Sequence, residues 1–177
     1  MLKESLPEYL EAAKFCCYYR KNDPKWNSFQ GDGCLGYPGG VLLFSIVDSI
    51  GSYFAKDKSL EILVDGKKTY IVGEGWEHFK ILNSHYFGQN LSSKFLKALY
   101  AKFRSQLTHN SVLGKHAYLF PDTQFGDQVF LETLLNEHPT YIISMRPFYE
   151  LCASAVQIFI NDIDNIVPNS NRGKSFH

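Results

Sequence analysis

Apolar residues recur at helical spacing along much of this chain. Leu6, Leu10, Ala13 and Cys17 fall on one face, and Ser5 followed three positions later by Glu8 is a capping-box pattern. The spacing predicts a first helix over residues 7–19. Residues 21–40 then gather Asn22-Asp23-Pro24, Gly31-Asp32-Gly33 and Gly36-Tyr37-Pro38-Gly39-Gly40, breakers that predict a loop whose last run initiates a helix. From Val41, residues Leu43, Ile46, Val47, Ile50 and Phe54 form a stripe that Leu42, Phe44 and Tyr53 widen to nearly the whole circumference. A helix of that kind belongs at the centre of the core.

The period changes over residues 56–75. Glu61-Ile62-Leu63-Val64 and Thr69-Tyr70-Ile71-Val72 are β-prone runs on either side of the turn signal Asp65-Gly66, which predicts a small hairpin inserted between helices. Phe79, Leu82 and Tyr86 resume helical spacing over residues 76–87, and Gly88 ends it. Ser92 or Ser93 caps a fourth helix with the stripe Phe95, Leu96, Leu99, Phe103 and Leu107, ending near Thr108. Residues 116–120, 128–132 and 141–144 read as strands or as extended loops between Gly114, Pro121, Gly126 and Pro139. With Pro147 in its first turn, a last helix carries Phe148, Leu151, Cys152, Ala155, Phe159 and Ile163 to about Ile166, and polar residues 168–177 are expected to form a flexible tail. The expected architecture is mainly α: one domain over residues 1–177, a bundle of about five helices spanning 6–166, with a β-hairpin insertion.

Composition supports a globular chain and excludes a disordered one. Of the 177 residues 45% are hydrophobic and 20% charged, and 14 Phe, 11 Tyr and 2 Trp supply material for a core without metal or disulfide staples. Cys16, Cys17, Cys34 and Cys152 show no framework spacing, which points to a reducing compartment, and the apolar context of Cys16, Cys17 and Cys152 suits small buried side chains. No basic, then apolar, leader opens the sequence and no apolar run has membrane-spanning length, so a cytoplasmic protein without a membrane partner is expected.

Eighteen basic residues balance eighteen acidic ones, but not evenly along the chain. Between Glu77 and Asp122 there is no acid, whereas Lys80, Lys94, Lys97, Lys102, Arg104 and Lys115 are basic; from Asp122 to Ile166 seven acids face only Arg146. Two outcomes are open: the halves neutralise one another inside the fold, or the basic fourth helix is left open to phosphate.

That helix ends Phe103-Arg104-Ser105-Gln106-Leu107-Thr108-His109-Asn110. The Arg-x4-His spacing of Arg104 and His109 resembles the signature of the higher-eukaryote and prokaryote nucleotide-binding (HEPN) superfamily, and the order of helices over about residues 37–166 is similar to it. The resemblance implies a helical bundle, a homodimer, and RNA or nucleotide as partner, with metal-independent endoribonuclease activity in many members. Carried onto this sequence, it makes Arg104 the phosphate clamp, His109 the general acid or base and Ser105 an orienting group, where the family usually has Asn, Asp or His. The chemistry is sound, because a histidine titrates near neutrality and an arginine stays charged as phosphate charge builds. Five positions of ideal helix nevertheless leave the two side chains about 140° apart, so they meet only if the helix unwinds at Thr108 or a second protomer completes the site.

Lys94, Lys97 and Lys102 are candidate nucleic-acid contacts, and Tyr100, one turn before Arg104, is placed to stack on a base. Structural alternatives stand beside these readings. His109 suits a helix C-terminus, and Arg104 has Asp162 or Asp164 of the last helix as prospective partners. The motif then serves the scaffold alone, and the chain is a non-catalytic assembly or regulatory protein that recognises another protein. His78 and His85, with Glu74 or Glu77, lack the i, i+4 spacing of a metal motif, so no metal or other cofactor is expected.

Overall fold

The computed structural model describes residues 2–26, 33–123 and 128–174. The fold is mainly helical with two small sheets. Helix α1 (Leu2–Tyr18) starts well before the predicted residue 7 and runs through Pro7. Ser5 and Glu8 therefore lie inside it and do not cap it. The first turn is held by tertiary contacts: Lys3 pairs with Asp164 at 2.8 Å, Leu6 is buried, and Leu2 packs against the core.

Helix α2 (Gly36–Tyr53) also begins earlier than expected. Pro38 sits in its first turn, where amides have no helical partner to lose. Gly39 and Gly40 lie beneath Cys16 and Leu107, where a side chain would crowd them. The run read as a breaker is thus a contact surface. Leu43, Phe44, Ile46, Val47 and Ile50 are fully buried, and the Phe44 ring lies 5.8, 6.0 and 5.1 Å from those of Phe79, Phe103 and Phe148. The central position predicted for this helix is the observed one. Much of the loop expected before it, residues 27–32, lies outside the described residues.

The inserted hairpin is present as β1 (Ile62–Val64) and β2 (Lys67–Thr69), paired Val64↔Lys67 around Asp65 and Gly66. The second strand starts directly after the turn, earlier than the β-prone run, because a two-residue loop fixes the register. Residues Gly75–Asn83 form a 3-10 helix, not the α-helix predicted to Phe87, and turns at Ser84 and Gly88 close it.

Helix α3 (Ser93–Ala98), a π-helical stretch (Leu99–Arg104) and α4 (Ser105–Asn110) follow without a break. Ser92 is the cap, its Oγ accepting the Phe95 amide at 3.1 Å. The helix does not unwind at Thr108. It ends at Ser111, which turns left-handed with φ 54°.

The three undecided segments are strands β3 (Ala117–Phe120), β4 (Phe130–Leu135) and β5 (His138–Ser144), in the order β3-β5-β4. β3 runs parallel to β5, and β4 antiparallel. Phe95 and Phe130, with rings 6.3 Å apart, join this sheet to α3. Helix α5 (Met145–Asn169) carries the predicted stripe and extends past Ile166 through Pro168. A short helix α6 (Asn171–Lys174) follows where a flexible tail was expected. Ser170 holds that turn by accepting the Gly173 amide at 2.9 Å, and Arg172 reaches the Ser52 hydroxyl. Residues 175–177 lie outside the described residues.

All four cysteines are buried and unpaired. Burial pushes the Cys17 thiol up to about 12 and raises Cys152 well above its ordinary value, which suits core side chains and not nucleophiles. Among the described residues no helix is long and apolar enough to cross a membrane.

Candidate functional site

Asp48 is the one charged residue in the apolar helix α2. A carboxylate there needs partners, since burying an unpaired charge is costly. It has two: the His78 ring Nδ1 lies 2.7 Å from its Oδ1, and Arg104 Nη2 donates to its Oδ2 at 2.7 Å. One carboxylate thus joins the central helix, the 3-10 helix and the end of the π-helical stretch. Burial works against ionisation of Asp48, but the bond from His78 and the charge of Arg104 outweigh it and hold the carboxyl below its ordinary value. An ionised carboxylate only accepts, so His78 Nδ1 carries the proton of this bond and Nε2 is the ring nitrogen left over.

Two glycines make this meeting geometric. A Cβ at Gly51 would stand 2.3 Å from the His78 carbonyl oxygen, so only glycine lets the 3-10 helix lie this close to α2. Gly75 opens that helix at φ 67°, in left-handed backbone, with the Tyr100 hydroxyl 3.3 Å from where its Cβ would be. Glu77 then braces the segment by accepting from Lys80 at 2.7 Å and from the Val72 amide at 3.1 Å. The π-helical stretch sets Tyr100 beside Arg104, whose guanidinium lies 5.7 Å from its ring.

Asp48, Gly75, His78, Tyr100 and Arg104 border a pocket of about 820 Å³, open to solvent, which Lys56, Glu74 and Arg172 also line. Asp48, His78 and Arg104 are partly exposed, with side chains 20%, 12% and 26% accessible. Ion pair and cavity therefore coincide.

The predicted site residues do not all share this place. Arg104 and Tyr100 line the pocket. The partners proposed for Arg104 are engaged elsewhere: Asp162 accepts from Tyr86 at 3.3 Å and Asp164 from Lys3 at 2.9 Å. The correction is Asp48, which the turn of the helix toward α2 places within reach. Ser105 is half-buried at the start of α4. His109 is exposed on the last turn of α4, outside the pocket lining. The unbroken helix keeps it off the Arg104 face.

The basic candidates split by direction. Lys94 pairs with Glu132 of β4 at 2.6 Å, and Lys102 lies 5.6 Å from the Tyr141 ring while donating to the Lys115 carbonyl at 2.7 Å. Both lean on the three-stranded sheet. Lys97 instead stands 4.8 Å from the Trp76 ring, beside Lys80 at 5.1 Å on the same indole. Lys80 with Glu77, Lys94 with Glu132 and Arg104 with Asp48 pair three of the six basic residues of that stretch with acids of the same chain, and of these pairs only Lys94 with Glu132 joins the basic stretch to the acidic one that follows.

Motif reading misses Asp48, and it weighs His78 as a metal ligand against a structural or surface residue, favouring the latter. The available signal was the isolated acid in an otherwise apolar helix. Among the described residues no cluster of three or more His, Cys, Asp or Glu side chains suits a metal ion. Comparison of the chain with protein-family models, with curated proteins and with solved structures gives no match.

Proposed function

We propose that this chain is an HEPN-like protein that binds single-stranded RNA and cleaves it without a metal, with Arg104 as the phosphate clamp. The observation that carries this reading is that the motif arginine faces an open pocket, beside an aromatic ring, instead of being sealed in the core. Its Asp48 partner fixes the guanidinium in place while further N–H donors remain for a phosphodiester, since arginine carries five. Tyr100 offers a face for an unstacked base. His109 stands on an exposed turn outside the lining of this pocket, so within one chain it takes no part in the clamp.

The test is binding of a single-stranded oligoribonucleotide by fluorescence anisotropy over a salt series. Arg104→Ala is expected to weaken binding at least about tenfold and to lower the salt dependence, because one phosphate contact is lost. Equal binding by the variant rejects the clamp. A second reading, a non-catalytic assembly or regulatory protein, is favoured by one feature: Leu134 and Leu135 at the tip of the β4–β5 hairpin are 72% and 49% exposed. Under that reading the wild-type protein binds no RNA.

A further inference from the structure

Arg104 shares its carboxylate with a histidine that belongs to no motif. His78 lies 26 positions before the arginine in sequence, yet the two bind opposite oxygens of Asp48 and line one pocket. Three features of this arrangement are those of an acid–base group. The ring is oriented by a carboxylate on one nitrogen, its other nitrogen is uncommitted to that bond, and a fixed positive charge stands alongside. His109, by contrast, is exposed at a helix end, and no carboxylate of the described residues is paired with it in the structure.

We propose that His78, oriented by Asp48, is the general base that activates the 2'-hydroxyl of a bound ribonucleotide, in the same chain as the Arg104 clamp. This rests on the RNA reading above and deepens it. His78 Nε2 takes the 2'-hydroxyl proton as the O2'–P bond forms and the P–O5' bond breaks. Water protonates the departing O5', and the resulting hydroxide is neutralised by the proton that His78 releases. The products are a 2',3'-cyclic phosphate and a 5'-hydroxyl. A site of this kind is complete in one protomer and acts on RNA but not on DNA, which has no 2'-hydroxyl.

Asp48 is a positioning residue here and touches no substrate. The groups that border the pocket with His78 are Asp48 on α2, Arg104 and Tyr100 on the π-helical stretch, Arg172 on α6, and Lys56 and Glu74 from the adjoining loops. Asp48→Asn removes the carboxylate that accepts the Nδ1 proton and orients the ring, so it is expected to lower kcat with RNA binding retained. A purely structural aspartate would change the amount of folded protein and leave the kcat of the folded fraction in place.

The experiment compares wild type, His78→Gln, His109→Gln and Asp48→Asn in chelator, on a fluorescent single-stranded RNA and its DNA counterpart, with binding and thermal melting recorded for each. The expected result is cleavage of RNA alone to a cyclic phosphate, a loss of about 100-fold or more in His78→Gln with binding retained, and a change of a few-fold at most in His109→Gln. If His109→Gln loses activity and His78→Gln keeps it, this inference is overturned while the RNA reading stands. Binding by wild type without cleavage also overturns it and leaves RNA recognition. No binding by folded wild type removes both. Should His78→Gln melt early, Asp48→Asn decides, and an unchanged kcat for its folded fraction rejects the proposal.

Discussion

Arg104 has one histidine close to it in sequence and another close to it in space, and the two surroundings differ. His109 follows by five residues on the same helix and ends up exposed, beyond an unbroken helical turn. His78 comes from a separate element and shares a carboxylate with the arginine in a partly buried pocket. Helix geometry explains the contrast. Five residues turn a side chain well away from its starting face, whereas a close crossing permitted by Gly51 brings a distant element onto it. Adjacency in a motif is therefore weaker ground for a shared site than two bonds to one acid.

The largest expected effect is at that crossing. Gly51→Ala sets a methyl group against the His78 carbonyl, and although alanine ordinarily favours a helix, the overlap is expected to cost about 1–3 kcal/mol and to loosen the Asp48–His78 bond. Denaturant melts measure the first, and the His78 imidazole resonances the second. An unchanged midpoint would show that the 3-10 helix yields at no cost, and the crossing would no longer explain the pocket.

Arg104→Ala is expected to cost roughly 1–2 kcal/mol, between a surface pair and a buried one, because it leaves Asp48 with His78 alone. Asp48 itself adds a pH signature. Its carboxyl is held below the ordinary 3.8, so its stabilisation is present above that value and is lost as pH falls through the lower folded value. The melting difference between wild type and Asp48→Asn should accordingly shrink in that acid range. A constant difference would mean that the charge of Asp48 adds nothing. At the other end of the comparison, His109→Ala should alter stability by less than about 0.5 kcal/mol, since nothing buried depends on it. A larger loss would place His109 in contacts that the exposed turn does not show.

The two hairpins show what the sequence made legible. Asp65 and Gly66 both take positive φ, 51° and 72°, and Asp-Gly is a strong signal for that turn. Asn136 and Glu137 adopt the same left-handed pair, 49° and 65°, but glutamate gives no such signal, so the β4–β5 hairpin read only as broken pieces. The central helix was legible because its apolar face is nearly complete. Its true start was not, because Gly36 to Gly40 carry the composition of a loop and are helical through packing against α1 and α4. The 3-10 helix was misjudged for a related reason. Phe79 and Leu82 are spaced i, i+3, which fits both helix types, and the choice is set by tertiary approach at Gly51.

For the site, sequence reasoning reached Arg104 and Tyr100 and missed what completes the pocket. Asp48 was visible as an isolated charge among Leu, Ile, Val and Phe, but its partners depend on which elements cross α2. Charge polarity along the chain foreshadowed the pairing of Lys94 with Glu132 without showing which residues would meet. The same polarity gave no hint that Lys94 and Lys102 turn to the sheet while Tyr100 and Arg104 turn to the pocket.

The most direct measurement is nuclear magnetic resonance of the histidine side chains as a 2'-O-methyl single-stranded oligonucleotide is added, since that probe binds without being cleaved. Saturable shifts of the His78 ring, abolished in Arg104→Ala, are the predicted result. Shifts confined to His109, or none at all in folded protein, would contradict the placing of the phosphate at Arg104 beside His78.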